Sequence, residues 1–282
     1  MGAGTMGVRP DLRGNGRELR MSHYATPFRP ATRNPVNPIV LIPARMASTR
    51  LPGKPLAMIA GSPMIVHVLR RAMAAGIGPV AVACAEAEIA AAVREAGGTA
   101  VLTNPALPSG SDRIHAALAI LDPARAHDVV VNLQGDLLGV SPAALRAVIG
   151  PLRNPAVDIA TLVAPIHAAA EADSASVVKV ACVFAPGADT AMALYFSRAA
   201  VPAGPGPLWH HIGIYAYRRA ALDRFVALPP SMLELRESLE QLRAIEAGMR
   251  IDCAAVEAGP FGIDTPADLV RAQDLAERGL FA

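Results

Sequence analysis

Beyond residue 37 the chain alternates short apolar runs with stretches of helical periodicity. Ile39-Val40-Leu41-Ile42 is an apolar run of strand length that breaks at Pro43. Met64, Ile65, Val68, Leu69 and Ala72 then recur at helical spacing. Gly61-Ser62-Pro63 predicts a turn, an N-cap and the first helical residue, and Gly76 predicts the helix end. Residues 79–84 read as a second strand, 86–96 as a helix stopped by Gly97-Gly98, and 99–102 as a third strand. This βαβαβ order predicts an α/β fold with a parallel, doubly wound sheet. A fourth strand is expected over 128–133 and a helix over 141–150.

From Asp158 the texture changes. Residues 159–166, 177–184 and 192–196 read as strands with few long helices between them. They predict a smaller β-rich lobe over about 158–217, set beside the parallel sheet. Residues 202–208 form a turn or linker, and 209–217 a further strand. His210 and His211 cannot share a face of that strand, whereas His211, Gly213, Tyr215 and Tyr217 do. Residues 231–248 read as one helical stretch with Leu235, Leu239 and Leu242 as its apolar stripe. After a late strand at 251–256, Thr265 caps the last helix, Pro266 opens it and Asp268 sits in its first turn. That leaves Asp264 unexplained.

Residues 1–37 are rich in Gly, Pro, Arg and Asn and have no apolar period, so they read as a disordered extension before a folded domain at 38–282. They hold six Arg against two acids, a net +4, so the overall +2 leaves −2 for the remainder. They lack an apolar signal core, so secretion is not expected, and an over-long translation start with Met21 nearer the true one is a plausible reading. With 52% apolar residues in 282, one large domain is the simplest account. No apolar run reaches membrane-spanning length, so no membrane partner is expected. The net charge gives no argument for nucleic acid, and none is expected as a partner. Cys84, Cys182 and Cys253 fit neither a zinc site nor a disulfide framework, and read as reduced thiols of a cytoplasmic protein.

Candidate chemistry gathers where the predicted strands end. The run PARMASTRLPGKPL after the first strand carries Arg45, Arg50 and Lys54, with Gly53 as its flexible point. A buried strand that empties into a basic, Gly-containing loop presents a phosphate site at the sheet's carboxyl edge. A solvated surface loop is the bland alternative. Ser109-Gly110-Ser111-Asp112-Arg113 opens a helix whose free N–H groups suit a base or phosphate, although a plain N-cap explains it equally well. Gln134-Gly135-Asp136 ends the fourth strand, where either a metal ligand or a strand-terminating turn belongs.

Taken together, these motifs resemble the sugar-acid cytidylyltransferases, and most closely the 3-deoxy-manno-octulosonate (Kdo) cytidylyltransferase family. The likeness runs from about 38 to 278 and also rests on Val178-Lys179-Val180, the run 194–199, the His211-Ile212-Gly213 strand, Leu239-Glu240-Gln241-Leu242-Arg243 and Gly262-Ile263-Asp264-Thr265-Pro266. The resemblance implies a Rossmann-like nucleotidyltransferase fold with a β-rich dimerisation lobe and a homodimer. It implies cytidylyl transfer from CTP to Kdo, with magnesium, for lipopolysaccharide biosynthesis. Arg45, Ser48, Arg50, Lys54, Ser109, Gly110, Arg113 and Gln134 would bind CTP. Asp136 and Asp264 would hold the metal and, with Arg45 and Lys54, form the catalytic set. Arg198, His211, Tyr215, Glu240 and Gln241 would bind the sugar acid, with Arg198 gripping its carboxylate in two-pronged fashion.

The chain departs from the family pattern at Leu137-Leu138, where Glu-Pro is usual, and at Ala85, where Asp is common. An Arg-Asp pair near 202–208 is also missing. The first change bears on metal binding and the second on base selection. Two alternatives therefore stand beside the Kdo reading: a cytidylyltransferase for sialic acid or amino-Kdo, and a catalytically weak nucleotide-binding homologue.

Overall fold

Strand β1 (Pro38–Ala44) carries the sheet, because it is buried on both faces and hydrogen-bonded on both edges. Val40, Ile42 and Ala44 point into one apolar cluster, Ile39 and Leu41 into another on the opposite side. Such two-sided burial is what a continuous apolar run predicts for a parallel strand. The computed structural model describes residues 36–48 and 51–278, all within one compact unit over 33–282. The predicted disordered extension thus lies almost wholly outside the described residues.

After β1 come a hairpin of β2 (Met58–Ile59) and β3 (Ser62–Pro63), helix α1 (Met64–Ala74), β4 (Val80–Cys84), α2 (Ala87–Glu95), β5 (Thr99–Leu102), α3 (Gly110–Leu121), β6 (Val129–Leu133) and α4 (Pro142–Ala147). The hairpin corrects the expected N-cap. Ala60 and Gly61 take positive φ, Ser62 and Pro63 pair back onto Ile59 and Met58, and α1 starts one residue later, with no side-chain cap. The predicted boundaries of β4, α2, β5 and β6 hold within one residue, whereas β1 runs through the expected break at Pro43 to Ala44, because both residues still pair with β4, and α4 gives way to a 3₁₀ turn at Gly150–Arg153.

The second half comprises β7 (Ile159–Pro165), α5 (Ala169–Asp173), β8 (Lys179–Ala181), β9 (Thr190–Met192), β10 (Tyr195–Ser197), β11 (Trp209–Arg218), α6 (Arg219–Ala227), α7 (Met232–Glu237), α8 (Leu242–Glu246), β12 (Ile251–Ala255) and α9 (Pro266–Glu277). These strands are continuous with the first half: one sheet runs β5-β4-β1-β6-β11-β7-β12-β9, with β8 and β10 joined off β11. Of the main strands only β11 and the edge strand β9 run against the rest. The predicted strand at 192–196 is two strands, because β9 pairs with β12 while β10 pairs with β8. The predicted helix at 231–248 is also two. Ser238 adopts a left-handed conformation (φ 54), ends α7 and turns Leu239 into the core, while Leu235 stays exposed. Glu240 and Gln241 sit in that break.

Helices α1, α2 and α4 cover one face of the sheet; α3, α6 and α8 cover the other. From β1 the chain moves outward through β4 to β5, then returns to the far side of β1 as β6. A crevice therefore opens at the carboxyl ends of β1 and β6, where open α/β sheets bind ligands.

Strand β11 has one irregularity. Ile212 pairs with Leu162 but Tyr215 with Thr161, so three steps on β11 meet one on β7. The two extra residues keep the alternation of faces. Ile212, Ile214 and Ala216 still face one cluster while Tyr215 and Tyr217 face the other. The Thr161 hydroxyl fills the bulge, 3.1 Å from the Ile212 carbonyl and 2.9 Å from that of Ile214.

The approach of β4 to β1 depends on Gly78, where a Cβ would lie 2.0 Å from the Pro38 carbonyl oxygen. Gly78→Ala is expected to lower stability by roughly 1–3 kcal/mol, as overpacking does. Gly150→Ala meets no atom within 4 Å and serves as the control. Thermal melting of both variants checks this, and equal melting temperatures would refute the close approach.

Candidate active site

A cavity of about 370 Å³ fills the crevice. Its floor is the end of β1, Pro43 to Arg45; one wall is Gln134-Gly135-Asp136 after β6, and another is Ser109, Gly110 and Arg113 at the start of α3. Ala47, Ser48, Lys54, Pro55, Met64 and Asp264 complete the lining. Gly110 is needed for close packing, since a Cβ there would press on Pro43 Cγ at 3.2 Å. Ser109 caps α3 by accepting the Asp112 N–H at 3.1 Å, which leaves the remaining first-turn N–H groups at the rim.

The centre of the cavity is a charge cluster. Gly53, in the left-handed region at φ 70, turns the chain into a 3₁₀ turn that begins at Lys54. Lys54 is only 8% exposed, and its Nζ lies 2.7 Å from Asp136 Oδ2 and 3.1 Å from Asp264 Oδ1. The carboxylates are far apart in sequence and meet through backbone pairing. Ile263 N–H donates to the Asp136 carbonyl at 3.1 Å, and Gly139 N–H to the Phe261 carbonyl at 3.1 Å. Two half-exposed carboxylates form an all-oxygen donor set, which suits a hard divalent cation that keeps water or phosphate oxygens as its other ligands. Among the described residues no group of three or more His, Cys, Asp or Glu is placed to hold a metal ion.

On the far side of α3 lies a second polar cluster. Ser111 Oγ donates to Glu240 Oε2 at 3.0 Å, and the Tyr217 phenol hydrogen-bonds Ser111 and Asn132. Burial raises the Glu240 pKa, with Ser109 and Ser111 opposing. Glu240 Oε1 and Gln241 Nε2 are buried with no hydrogen-bond partner among the described residues. His211 packs on Phe196 and Tyr215, and its Nε2 lies 3.0 Å from Thr161 Oγ1. The two carbonyls in the bulge take the Thr161 hydroxyl proton, so His211 Nε2–H is the donor to that oxygen.

The sequence matches the cytidylyltransferase family over residues 39–251. It is 60% identical over 246 residues to a 3-deoxy-manno-octulosonate cytidylyltransferase of Rhodospirillum centenum, covering 87% of this chain and 96% of that protein. It is 64% identical to the protein of the same name in Xanthobacter autotrophicus, covering 83% and 92% of the two chains. The chain belongs to the 3-deoxy-manno-octulosonate cytidylyltransferase family. A solved CMP:2-keto-3-deoxy-manno-octonic acid synthetase complexed with CTP shares the fold at a TM-score of 0.79 and 39% identity, covering 86% of this chain and 99% of that one.

In this cytidylyltransferase the crevice brings together Arg45, Ser48, Lys54, Ser109, Gly110, Arg113, Gln134, Asp136 and Asp264. Arg50 lies outside the described residues. Arg113 is buried and its guanidinium binds Thr103 Oγ1 at 2.7 Å and the Asn104 carbonyl at 3.2 Å, so it shapes the wall. His211 contacts Tyr215, and Glu240 is bonded to Ser111 of α3. The Arg198 guanidinium is committed elsewhere, to the carbonyls of Glu237 (2.7 Å), Ala175 (2.9 Å) and Ser238 (3.2 Å). Those bonds use three of its five N–H groups and leave one on each terminal nitrogen for the expected grip on a substrate carboxylate. Thr161 escaped sequence reasoning, while Ser111 and Tyr217 lie on stretches it singled out but were not assigned roles of their own. Each is an ordinary strand or helix residue until the bulge and the packing of α3 bring its partners to it.

Burial, with a smaller contribution from His210, pushes the His211 imidazole down from 6.5 to about 3. Between those values the unfolded cytidylyltransferase binds a proton at this site that the folded one does not. Stability is therefore expected to fall as pH drops below 6.5, by about 1.4 kcal/mol per unit. Denaturant unfolding at pH 7 and pH 5 should show wild type losing about 2 kcal/mol more than His211→Asn. Parallel losses would show that His211 is not held neutral.

Proposed function

We propose that the protein transfers a cytidylyl group from CTP to 3-deoxy-manno-octulosonate, giving CMP-Kdo and pyrophosphate. The observation that carries this reading is the Lys54 ammonium held between Asp136 and Asp264 at the sheet's switch-point crevice, in a chain about 60% identical to proteins of that name. A sugar hydroxyl oxygen attacks the α-phosphorus. The bond from that phosphorus to the β-phosphate's bridging oxygen breaks, and its electron pair leaves with pyrophosphate. Such transfers need positioning and charge neutralisation more than covalent help.

Arg45, Arg50 and Lys54 would neutralise the triphosphate and the departing pyrophosphate, with Ser48, Gln134 and the N–H groups at 109–110 fixing its place. Asp136 and Asp264 would hold magnesium, which when bound would lower the pKa of the attacking hydroxyl. Glu240 Oε1 offers an acceptor, and Gln241 Nε2 a donor, to sugar hydroxyls, which would meet the unmatched hydrogen-bonding capacity of both atoms. His211, neutral and fixed by Thr161, orients the sugar acid beside Tyr215. Leu138 is fully buried against Ile59, Met64 and Ile263, so the Leu137-Leu138 change serves packing behind Asp136.

Three further features belong to this reading. Val183, Met192 and Leu194 are exposed apolar side chains around the edge strand β9, which suits a homodimer contact. Cys84, Cys182 and Cys253 are buried free thiols, as a reducing cytoplasm allows. Among the described residues no helix is long and apolar enough to cross a membrane. The product would feed lipopolysaccharide assembly.

Pyrophosphate release from CTP is expected to require both Kdo and magnesium. Release driven instead by another sugar acid, or no release despite CTP binding, would overturn the assignment. Asp136→Ala and Asp264→Ala should each cut turnover by a factor of about 100 or more at saturating magnesium with the fold retained, while the melting temperature drops because Lys54 keeps only one carboxylate. Near-normal rates in either would remove that residue from the metal site. His211→Ala should raise KM for Kdo more than KM for CTP, and an effect confined to CTP would move it out of the acceptor pocket.

A further inference from the structure

Glu86 stands at the N-cap of α2, one residue after Ala85, yet its side chain makes no hydrogen bond to its own helix. Short side chains such as Ser, Thr, Asp and Asn ordinarily accept first-turn N–H groups at that position, and the longer Glu is free to reach elsewhere. Here it turns toward the phosphate loop, and Met46 N–H donates to Glu86 Oε2 at 2.9 Å. The other side of the same residue is tied as well, because Gly53 N–H donates to the Met46 carbonyl at 3.3 Å. Met46 thus follows Arg45 directly and is fixed at both ends of its backbone, once to α2 and once to the glycine that precedes Lys54. The carboxylate's charge is also felt at the opposite wall. Burial lowers the Arg113 pKa, and Glu86 is the largest attractive charge opposing that. Arg113 in turn carries the segment at Thr103, Asn104 and Pro105.

We propose that Glu86 is a positioning residue for nucleotide transfer: its carboxylate clamps Met46 and so holds Arg45 and Lys54 in register with the α3 wall. The proposal rests on the reading of the loop as the triphosphate site. It also gives the Ala85 departure a physical meaning, since a carboxylate one residue later braces the same rim from behind.

Two substitutions separate positioning from folding. Glu86→Ser supplies a hydroxyl able to cap α2 but too short to reach Met46. Glu86→Gln keeps an acceptor oxygen for the Met46 N–H. Glu86→Ser is expected to melt at or above the wild-type temperature while KM for CTP rises about tenfold, the scale of a misplaced binding group. KM for Kdo should stay within about twofold, and Glu86→Gln should recover most of the CTP affinity. An unchanged KM for CTP in Glu86→Ser would overturn the proposal, as would Glu86→Gln being as weak as Glu86→Ser. Calorimetric titration of wild type with CTP separates the premise: no binding there would overturn the triphosphate reading and the proposal together.

Discussion

The site depends on how completely β1 is immobilised. Parallel ladders to β4 and β6 hold its edges, and apolar clusters hold both faces. A strand fixed on four sides delivers its carboxyl end to one place, and the cations that follow inherit that precision. Pro43 ends the apolar run without surrendering the position, because Gly110 and Gly135 pack against it from the other two walls. The floor of the crevice is therefore an outcome of core packing.

Charge compensation is the second constraint. Lys54 is nearly buried, and burying an ammonium is costly unless anions meet it. Asp136 and Asp264 meet it, and each is anchored by backbone bonds that do not involve Lys54. The carboxylates keep substantial exposure, so the cluster sits at the boundary between core and solvent. A polyanion arriving there offers Lys54 an alternative partner and leaves two carboxylates in need of another cation.

Much of this was legible in the sequence, for reasons that differ by region. The β1 loop, the α3 start, Asp136 and Asp264 all lie at ends of elements with strong apolar period, so their placement followed once the elements were right. Reading failed where a single backbone conformation decided the outcome. Ser62 resembles an N-cap until the positive φ of Ala60 folds it into a hairpin. The stretch 231–248 keeps helical spacing throughout, and only Ser238 in the left-handed region breaks it. Arg198 ends a strand as read, but the three carbonyls that take three of its five donors come from segments that nothing in the sequence places there. Glu86 has no local signal at all, since its partner is forty residues away in sequence.

The bulge in β11 has a consequence for how this architecture can vary. Because it inserts two residues, it lengthens the strand without exchanging its faces. A single insertion would send Tyr215 and Tyr217 to the other cluster and bring Ala216 to the face they now hold. Only length changes in steps of two keep the hydrophobic inventory on either side of the sheet as it is, so the register of this one strand constrains both apolar clusters at once.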